Sequence, residues 1–242
     1  MRDEDLAARL AAEAGRLLVE LRDGALLEGS ALGRVADQVS NAFILSALRQ
    51  WRPDDAVLSE ESCDDPIRLT RDRVWIIDPL DGTREYGERR PDWAVHIALA
   101  VNGEPKVGAV AVPARGQVFR SDGEAHRLHA TDRRPRMLVS RTRPPEMAAE
   151  LADWLGAEMM EMGSAGAKAM AVVAGEADLY FHAGGQHEWD NCAPAAVALG
   201  LGFHASRIDG APLCYNRADT LVPDIVIARA DLAPRILHFT QR

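Results

Sequence analysis

Leu6, Leu10, Ala14, Leu17, Leu18 and Leu21 recur at helical spacing with Glu, Asp and Arg between them. The pattern predicts an amphipathic helix of several turns that ends near Gly24. Ile44, Leu45 and Leu48 mark the buried side of a second helix, from about Asp37 to Trp51. The period then changes. Ala56 to Ser59 is a short apolar run leading into Glu60 and Glu61, and Arg73 to Ile77 is rich in residues that suit a buried pleated surface. Pro79 and Gly82 break that strand. Trp93 to Val101 and Lys106 to Val112 predict neighbouring strands joined by a turn at Asn102-Gly103, with a third strand at Gln117 to Arg120. Ser121 to Pro135 is polar, basic and irregular, the pattern of a surface loop between lobes. Beyond it come a strand at Met137 to Ser140, helices at about Pro145 to Leu155 and Ala165 to Gly175, a strand at Ala177 to His182, an Ala-rich helix at Asn191 to Leu201 and a last strand at Ile225 to Ala228. No repeat, heptad or low-complexity tract interrupts the order. Alternating strands and helices of this kind favour a layered α/β or α+β architecture, divided into lobes of residues 1–130 and 131–242.

Composition narrows the class of function. At 242 residues, 47% hydrophobic and 27% charged, the chain is an ordinary globular sequence able to bury a substantial core. Its formal charge of -9 argues against binding nucleic-acid polymers, which rests on basic surface. An anionic small substrate stays open, because bound divalent cations invert the field of an acidic site. Cys63, Cys192 and Cys214 are widely spaced and form no CxxC pair, which fits inert thiols in a reducing compartment. The N-terminal stretch has no apolar signal core, and no apolar run approaches the ~20 residues that span a bilayer. The expected location is the cytoplasm, with no membrane partner.

The chemistry centres on Asp78-Pro-Leu-Asp81-Gly-Thr83. An apolar strand delivers two carboxylates at its end, separated by a Pro-initiated turn that can aim both acids and the Leu80 carbonyl at one point. Hard divalent cations require such oxygen ligands. A helix starting at Gly82-Thr83 would turn its free N–H groups toward a phosphate at the same point. Taken alone, the segment is equally readable as a tight turn with Asp81 as an N-cap.

Other segments change that balance. The acidic pair within Leu58 to Ser62, the strand-turn Trp75 to Thr83 and the later Glu188-Trp189-Asp190 stand in an order and at separations that resemble the inositol-monophosphatase superfamily. The resemblance implies a layered αβαβα sandwich, consistent with the alternation above, and a magnesium-dependent phosphatase with two to three Mg²⁺ ions. Glu60, Asp78 and the Leu80 carbonyl would bind one ion, and Asp78, Asp81 and Asp190 a second. A weaker third would sit near Glu60, while Asp37 and the Thr83 hydroxyl orient and deprotonate the attacking water. Asn41 departs from the pattern, since many members carry an acid there, and the third ion is expected to be weaker for it. The 1–130 lobe would carry the metal-binding carboxylates and the 131–242 lobe would complete the site.

Flanking residues resemble the CysQ-type branch, which acts on 3'-phosphoadenosine 5'-phosphate. They are Arg84-Glu85-Tyr86, Trp93 to Leu99, Val139-Ser140-Arg141 and Gly163-Ser164-Ala-Gly-Ala-Lys168. The last segment, with Gly82 and Thr83, is the expected substrate contact, a Gly-Ser turn opening a helix with Lys168 supplying a cation. An ordinary helix start with a solvated lysine is the other reading. The branch also implies release of AMP and phosphate, possible action on the sulfated form of the substrate, a role in sulfate assimilation, sensitivity to lithium and a homodimer. Two alternatives stand beside it: an inositol monophosphatase or fructose-1,6-bisphosphatase, and a non-catalytic module that binds a phosphorylated nucleotide with metal. His182 and His187 are candidates to line a nucleotide pocket, Tyr86 and Tyr215 to stack a base. His96 and Trp189 are read as structural, and Asp54, Asp55, Asp64 and Asp65 as solvated loop.

Overall fold

The computed structural model describes residues 1–124 and 133–242. The lobe boundary at residue 130 and residues 125–132 of the expected 121–135 loop fall outside them. Strands β1 (Ala56–Ser59), β2 (Arg73–Asp81), β3 (Ala94–Val101), β4 (Glu104–Val112) and β5 (Gln117–Arg120) form one sheet in that order. Its β1–β2 pair is parallel and the rest antiparallel. The second sheet combines β6 (Arg136–Ser140), β7 (Glu158–Met162), β8 (Leu179–His187), β9 (His204–Ser206) and β10 (Leu221–Ala228) in the order β7-β6-β8-β10-β9.

Period-two alternation assigns each face of each sheet to a helix layer. On β3, Val95, Ile97 and Leu99 pack with α1 (Asp3–Asp23) and α2 (Gly29–Trp51). The intervening Ala94, Ala98 and Ala100 join a second core with α5 (Ala165–Val173) and α6 (Glu188–Gly200). That core reaches the inner face of the second sheet through Leu138, Tyr180, Ile225 and Ile227. Outside it, Met137, Val139, Phe181 and Val226 pack against α4 (Ala148–Leu155) and α7 (Ala233–Thr240). The layers therefore run αβαβα, as expected. No helix among the described residues is long and apolar enough to cross a membrane.

The middle layer is built from small residues. Ala193, Ala195, Ala196 and Ala198 of α6 are buried, and a Cβ placed on Gly108 of β4 would lie 2.7 Å from the Ala193 carbonyl oxygen and from the Ala196 Cβ. The closeness lets α6 bring its first turn up to the end of β2.

Several boundaries differ from the sequence expectation. Helix α2 begins at Gly29 rather than near Asp37, and its extra turns bury Leu32, Gly33 and Ala36. Two glycines depress helix propensity there and hide the period. Strand β2 continues past Pro79 to Asp81, because its register against β3 shifts between Asp78 and Asp81. The missing proline N–H falls within that irregularity, where no ladder bond is required. Strand β8 runs on to His187 through Gly184 and Gly185, and α6 starts at Glu188, which places Asp190 in its first turn. Strand β7 was not expected. It is an acidic, half-exposed edge that lacks the buried-strand signature. Strand β10 is the last strand, as expected, but β9 and the C-terminal helix α7 carry no expectation from the sequence.

Replacing Gly108 by Ala should lower the unfolding free energy by about 1–3 kcal/mol through overpacking against α6. Urea denaturation of the variant checks this, the expected outcome being a lower midpoint with an unchanged slope.

Candidate active site

The end of β2 is shaped by its own side chains. Asp78 Oδ1 accepts the Leu80 N–H at 3.0 Å, and the Ser40 hydroxyl of α2 donates to the Pro79 carbonyl at 2.8 Å. Gly82 follows at φ +89°, a left-handed conformation that favours glycine, and opens the five-residue helix α3 (Thr83–Gly87). The Thr83 hydroxyl lies 3.1 Å from the Leu80 carbonyl oxygen and 3.2 Å from Asp37 Oδ2. Asp37 is buried, and its Oδ1 has no hydrogen-bond partner. The structure thus brings together Asp37 and Thr83.

Oxygens of Asp78, Asp81 and Asp190 lie within 4.8 Å of one another. Asp190 arrives on the first turn of α6, where Oδ2 accepts the His187 N–H at 2.5 Å. Asp81 does not act as an N-cap. Its Oδ2 accepts from the Ser164 hydroxyl at 2.5 Å and the Gly166 N–H at 2.7 Å, and lies 3.2 Å from His96 Nε2. Glu60 stands just beyond β1, outside that three-carboxylate group, with its backbone N–H on the Ile77 carbonyl. Asn41 holds the Glu60 turn: its amide nitrogen donates to the Glu61 carbonyl and Ser62 hydroxyl, and its oxygen accepts from the Ser59 hydroxyl. The neutral side chain that departs from the family pattern is thus fully engaged with this turn.

The electrostatics separate Asp81 from its neighbours. Burial pushes Asp81 up, but His96, the Ser164 hydroxyl and the Gly166 N–H outweigh it and hold the carboxyl at about 2. Asp78 has only the Leu80 N–H; burial and the charges of Glu60 and Asp81 raise it well above the ordinary range. Burial and then Asp37 raise Glu60 to about 8, burial and Asp81 raise Asp190 to about 6, and burial and Glu61 raise Asp37 to about 7. An all-oxygen cluster whose charge the protein leaves uncompensated fits a hard divalent cation.

His96 is the residue that sequence reasoning undervalued. It is fully buried, with Nδ1 3.0 Å from the Trp189 carbonyl oxygen and Nε2 facing Asp81. A Cβ on Gly166 would fall 2.0 Å from His96 Nε2, so the glycine makes room for the imidazole. The one available signal was a polar residue inside an otherwise apolar strand pattern. Trp189 itself is partly buried against the middle core, and its ring stacks on His187.

Beside the acidic cluster lies a cavity of about 190 Å³ whose lining includes Asp81, Asp190, Arg143, His182 and the Arg141–Glu85 pair. The expected substrate contacts Gly163, Ser164 and Lys168 all line it, yet their polar groups are engaged within the protein. Gly163 N–H donates to Asp92 at 2.7 Å, and the Ser164 hydroxyl donates to Asp81. Lys168 is not a solvated cation. It is 4% exposed and donates to the carbonyls of Met162, Gly163 and Ser164. Its ring neighbour Tyr180 lies below the ammonium at 5.1 Å. By contrast, His182 Nδ1 is buried without a partner, as is Arg141 Nε, although Arg141 Nη2 is held by Glu85 and Glu88. His187 is turned to Thr220 and does not line the cavity. Tyr86 and Tyr215 are deeply buried, bonded to Leu18 and Asn191, so neither offers a face to a base. Asp64 was read as solvated loop but pairs with the buried Arg68, and Asp55 pairs with Arg73.

A layered αβαβα fold with a carboxylate cluster at its centre defines a metal-dependent phosphatase scaffold, and the Inositol monophosphatase family matches residues 5–239. The chain belongs to that family. It is 50% identical, over 97% of its length and 92% of the relative's, to the 3'-phosphoadenosine 5'-phosphate phosphatase of Mycobacterium leprae (strain TN). It is 31% identical to the 3'(2'),5'-bisphosphate nucleotidase CysQ of Escherichia coli (strain K12), over 90% of this chain and 96% of the relative. Among solved structures, CysQ from Bacteroides thetaiotaomicron superposes with a TM-score of 0.80 at 25% identity, covering 94% of this chain and 97% of that one.

The raised carboxyls predict an unusual pH dependence. Protons held by Asp190, Asp37 and Glu60 stabilise the metal-free fold below the ordinary carboxylate range, and this contribution is lost as pH rises through about 6, 7 and 8. The thermal midpoint of metal-free protein should therefore fall between pH 5 and 9. Added divalent cation should raise the midpoint more at pH 8 than at pH 5, since protons and cation compete for the same oxygens. Differential scanning fluorimetry across that range, with and without a chelator, reads both effects.

Proposed function

We propose that the protein is a Mg²⁺-dependent phosphatase that hydrolyses the 3'-phosphate of 3'-phosphoadenosine 5'-phosphate, consuming water and releasing AMP and phosphate. The observation that carries this reading is the two-signed cavity. Asp81 and Asp190 bring to its lining carboxylates suited to cations that hold a phosphate, and Arg143 brings a cation; Arg141 is paired with Glu85 and Glu88, and burial pushes the His182 imidazole below its ordinary range. A small molecule with two anionic groups satisfies both; an inositol monophosphate satisfies one. The names borne by the mycobacterial and E. coli relatives support the same substrate.

Mg²⁺ held by Asp78, Asp81 and Asp190, with Glu60 and the Leu80 carbonyl completing the ligand set, would neutralise the phosphate and stabilise the leaving oxygen. The protein's own part begins with Asp37. Its Oδ2 and the Leu80 carbonyl fix the Thr83 hydroxyl, leaving Oδ1 to accept a proton from the attacking water. A carboxyl raised to about 7 is matched to proton transfer near neutral pH. Ser164, Gly166 and His96 keep Asp81 ionised and in place, while Lys168 ties the turn that presents Ser164. Arg143 and His182 would receive the 5'-phosphate side of the substrate. Clearance of a by-product of sulfate assimilation is the corresponding physiological role.

Phosphate release should be measured on the adenosine bisphosphate, its sulfated form, inositol-1-phosphate and fructose-1,6-bisphosphate, with and without lithium. The adenosine bisphosphate should be preferred, and preference for inositol-1-phosphate would overturn the substrate assignment. Asp37→Asn should lower kcat by about 10²–10⁴-fold, the range of a lost general base. Arg143→Ala should raise KM for the bisphosphate about tenfold or more, as loss of a charged hydrogen bond does, with little change for inositol-1-phosphate. Equal effects on both substrates would remove Arg143 from substrate recognition.

A further inference from the structure

Glu188 is fully buried two residues before Asp190, yet it belongs to no carboxylate cluster. Its Oε2 accepts the Asn216 N–H at 2.7 Å and its Oε1 the Arg217 N–H at 2.8 Å. Asn216 adopts φ +58°, a left-handed conformation that asparagine tolerates better than most residues. Its side chain closes a reciprocal ring with Arg68: the guanidinium Nη1 donates to Asn216 Oδ1 at 2.9 Å, and Asn216 Nδ2 donates to the Arg68 carbonyl at 2.9 Å. Arg68 is 1% exposed and spends its remaining edge on Asp64, at 2.6 and 2.9 Å. A continuous line of bonds thus runs from the loop that follows Glu60 to the first turn of α6, which carries Asp190.

The geometry points to this line as a positioning brace: Arg68, Asn216 and Glu188 set the separation between Glu60 and Asp190 and thereby the cation affinity of the site. The inference rests on the metal-dependent reading above. Stability does not explain the arrangement, because sinking a guanidinium and a carboxylate costs desolvation that apolar packing would avoid. A fixed separation between ligands on different elements does explain it. Hydrophobic contacts locate a helix through many weak neighbours, whereas directional bonds to both ends of a carboxylate fix its register. Asn216 makes the link in both directions, with its N–H on Glu188 and its side chain on Arg68. Arg68 and Asn216 touch no reacting atom and act through Glu60 and Asp190.

Mn²⁺ binding provides a readout independent of turnover. Full-length protein stripped of metal is titrated with Mn²⁺, free ion being followed by electron paramagnetic resonance, for wild type, Glu188→Gln, Asn216→Ala and a control, Asp178→Asn. Asp178 is as deeply buried and bonds Arg133, Arg229 and the Arg136 N–H at the far end of β8. Thermal midpoints are recorded in parallel. The brace requires Mn²⁺ affinity to fall about tenfold or more in Glu188→Gln and Asn216→Ala, and to stay within twofold in Asp178→Asn even where that variant loses more stability. Glu188→Gln preserves shape and volume, so it keeps the test valid should Asn216→Ala fail to fold. Unchanged affinity in Glu188→Gln, or equal loss in the control, would reduce the line to a structural contact. Wild-type protein that binds Mn²⁺ but releases phosphate from no ester would overturn the phosphatase reading and leave the brace standing.

Discussion

Like charges crowded into a poorly hydrated cleft constrain everything else in this molecule. Asp78, Asp81 and Asp190 converge within one ion's reach, with Glu60 beside them. Carboxylates this close cannot all stay ionised without a counter-charge. Holding Asp190 ionised at neutral pH, when burial and Asp81 have raised it to about 6, costs roughly 3 kcal/mol relative to its ordinary value on the scale of pKa shifts. Among these acids, only at Asp81 does the compensation outweigh burial, through His96, Ser164 and the Gly166 N–H; the His187 N–H on Asp190 and the Thr83 hydroxyl on Asp37 do not. Asp81 is therefore the ionised pivot, and its neighbours are left with raised proton affinity. Metal affinity, proton uptake and stability are three readings of one electrostatic debt.

Bringing the acids together requires the first sheet and α6 to approach closely, and the small residues of the middle layer make that possible. Ala94, Ala98 and Ala100 line the sheet face that meets α6, while the opposite face of the same strand carries Val95, Ile97 and Leu99 against the long outer helices. Bulk is thus placed outside and space inside. Gly108 repeats the theme on β4, and Gly166 repeats it where α5 passes His96. Layer order and site geometry are consequences of the same distribution of side-chain volume.

Much of this was legible in the sequence where one residue type has one strong meaning. Of the ordered set Glu60, Asp78, Asp81 and Asp190, the structure brings Asp78, Asp81 and Asp190 within reach of one another and leaves Glu60 outside that group, while Thr83 meets Asp37. The αβαβα order followed from the family resemblance rather than from period alone. What failed to show had weak local signatures. Strand β7 is acidic and half exposed, the start of α2 is glycine-rich, and β2 passes a proline that ordinarily ends a strand. His96, Arg68 and Glu188 acquire meaning only from partners distant in sequence, so no window of neighbouring residues could have revealed them.

The same distinction bears on specificity. The segment Gly163 to Lys168 suggested a nucleotide, but its N–H, hydroxyl and ammonium groups are all bonded to Asp92, Asp81 and backbone carbonyls. A substrate could recruit them only by breaking bonds that hold the cluster in shape, which would weaken the site it came to use. Groups with capacity left over line the same cavity: the Arg143 side chain on the loop after β6 and the unpartnered His182 Nδ1 on β8. Both come from the second sheet or the loop beside it, whereas Asp78 and Asp81 come from the first. The architecture sets these positions: β2 of the first sheet carries Asp78 and Asp81, the first turn of α6 carries Asp190, β8 of the second sheet carries His182, and the Ala-rich middle layer sets the distance between them.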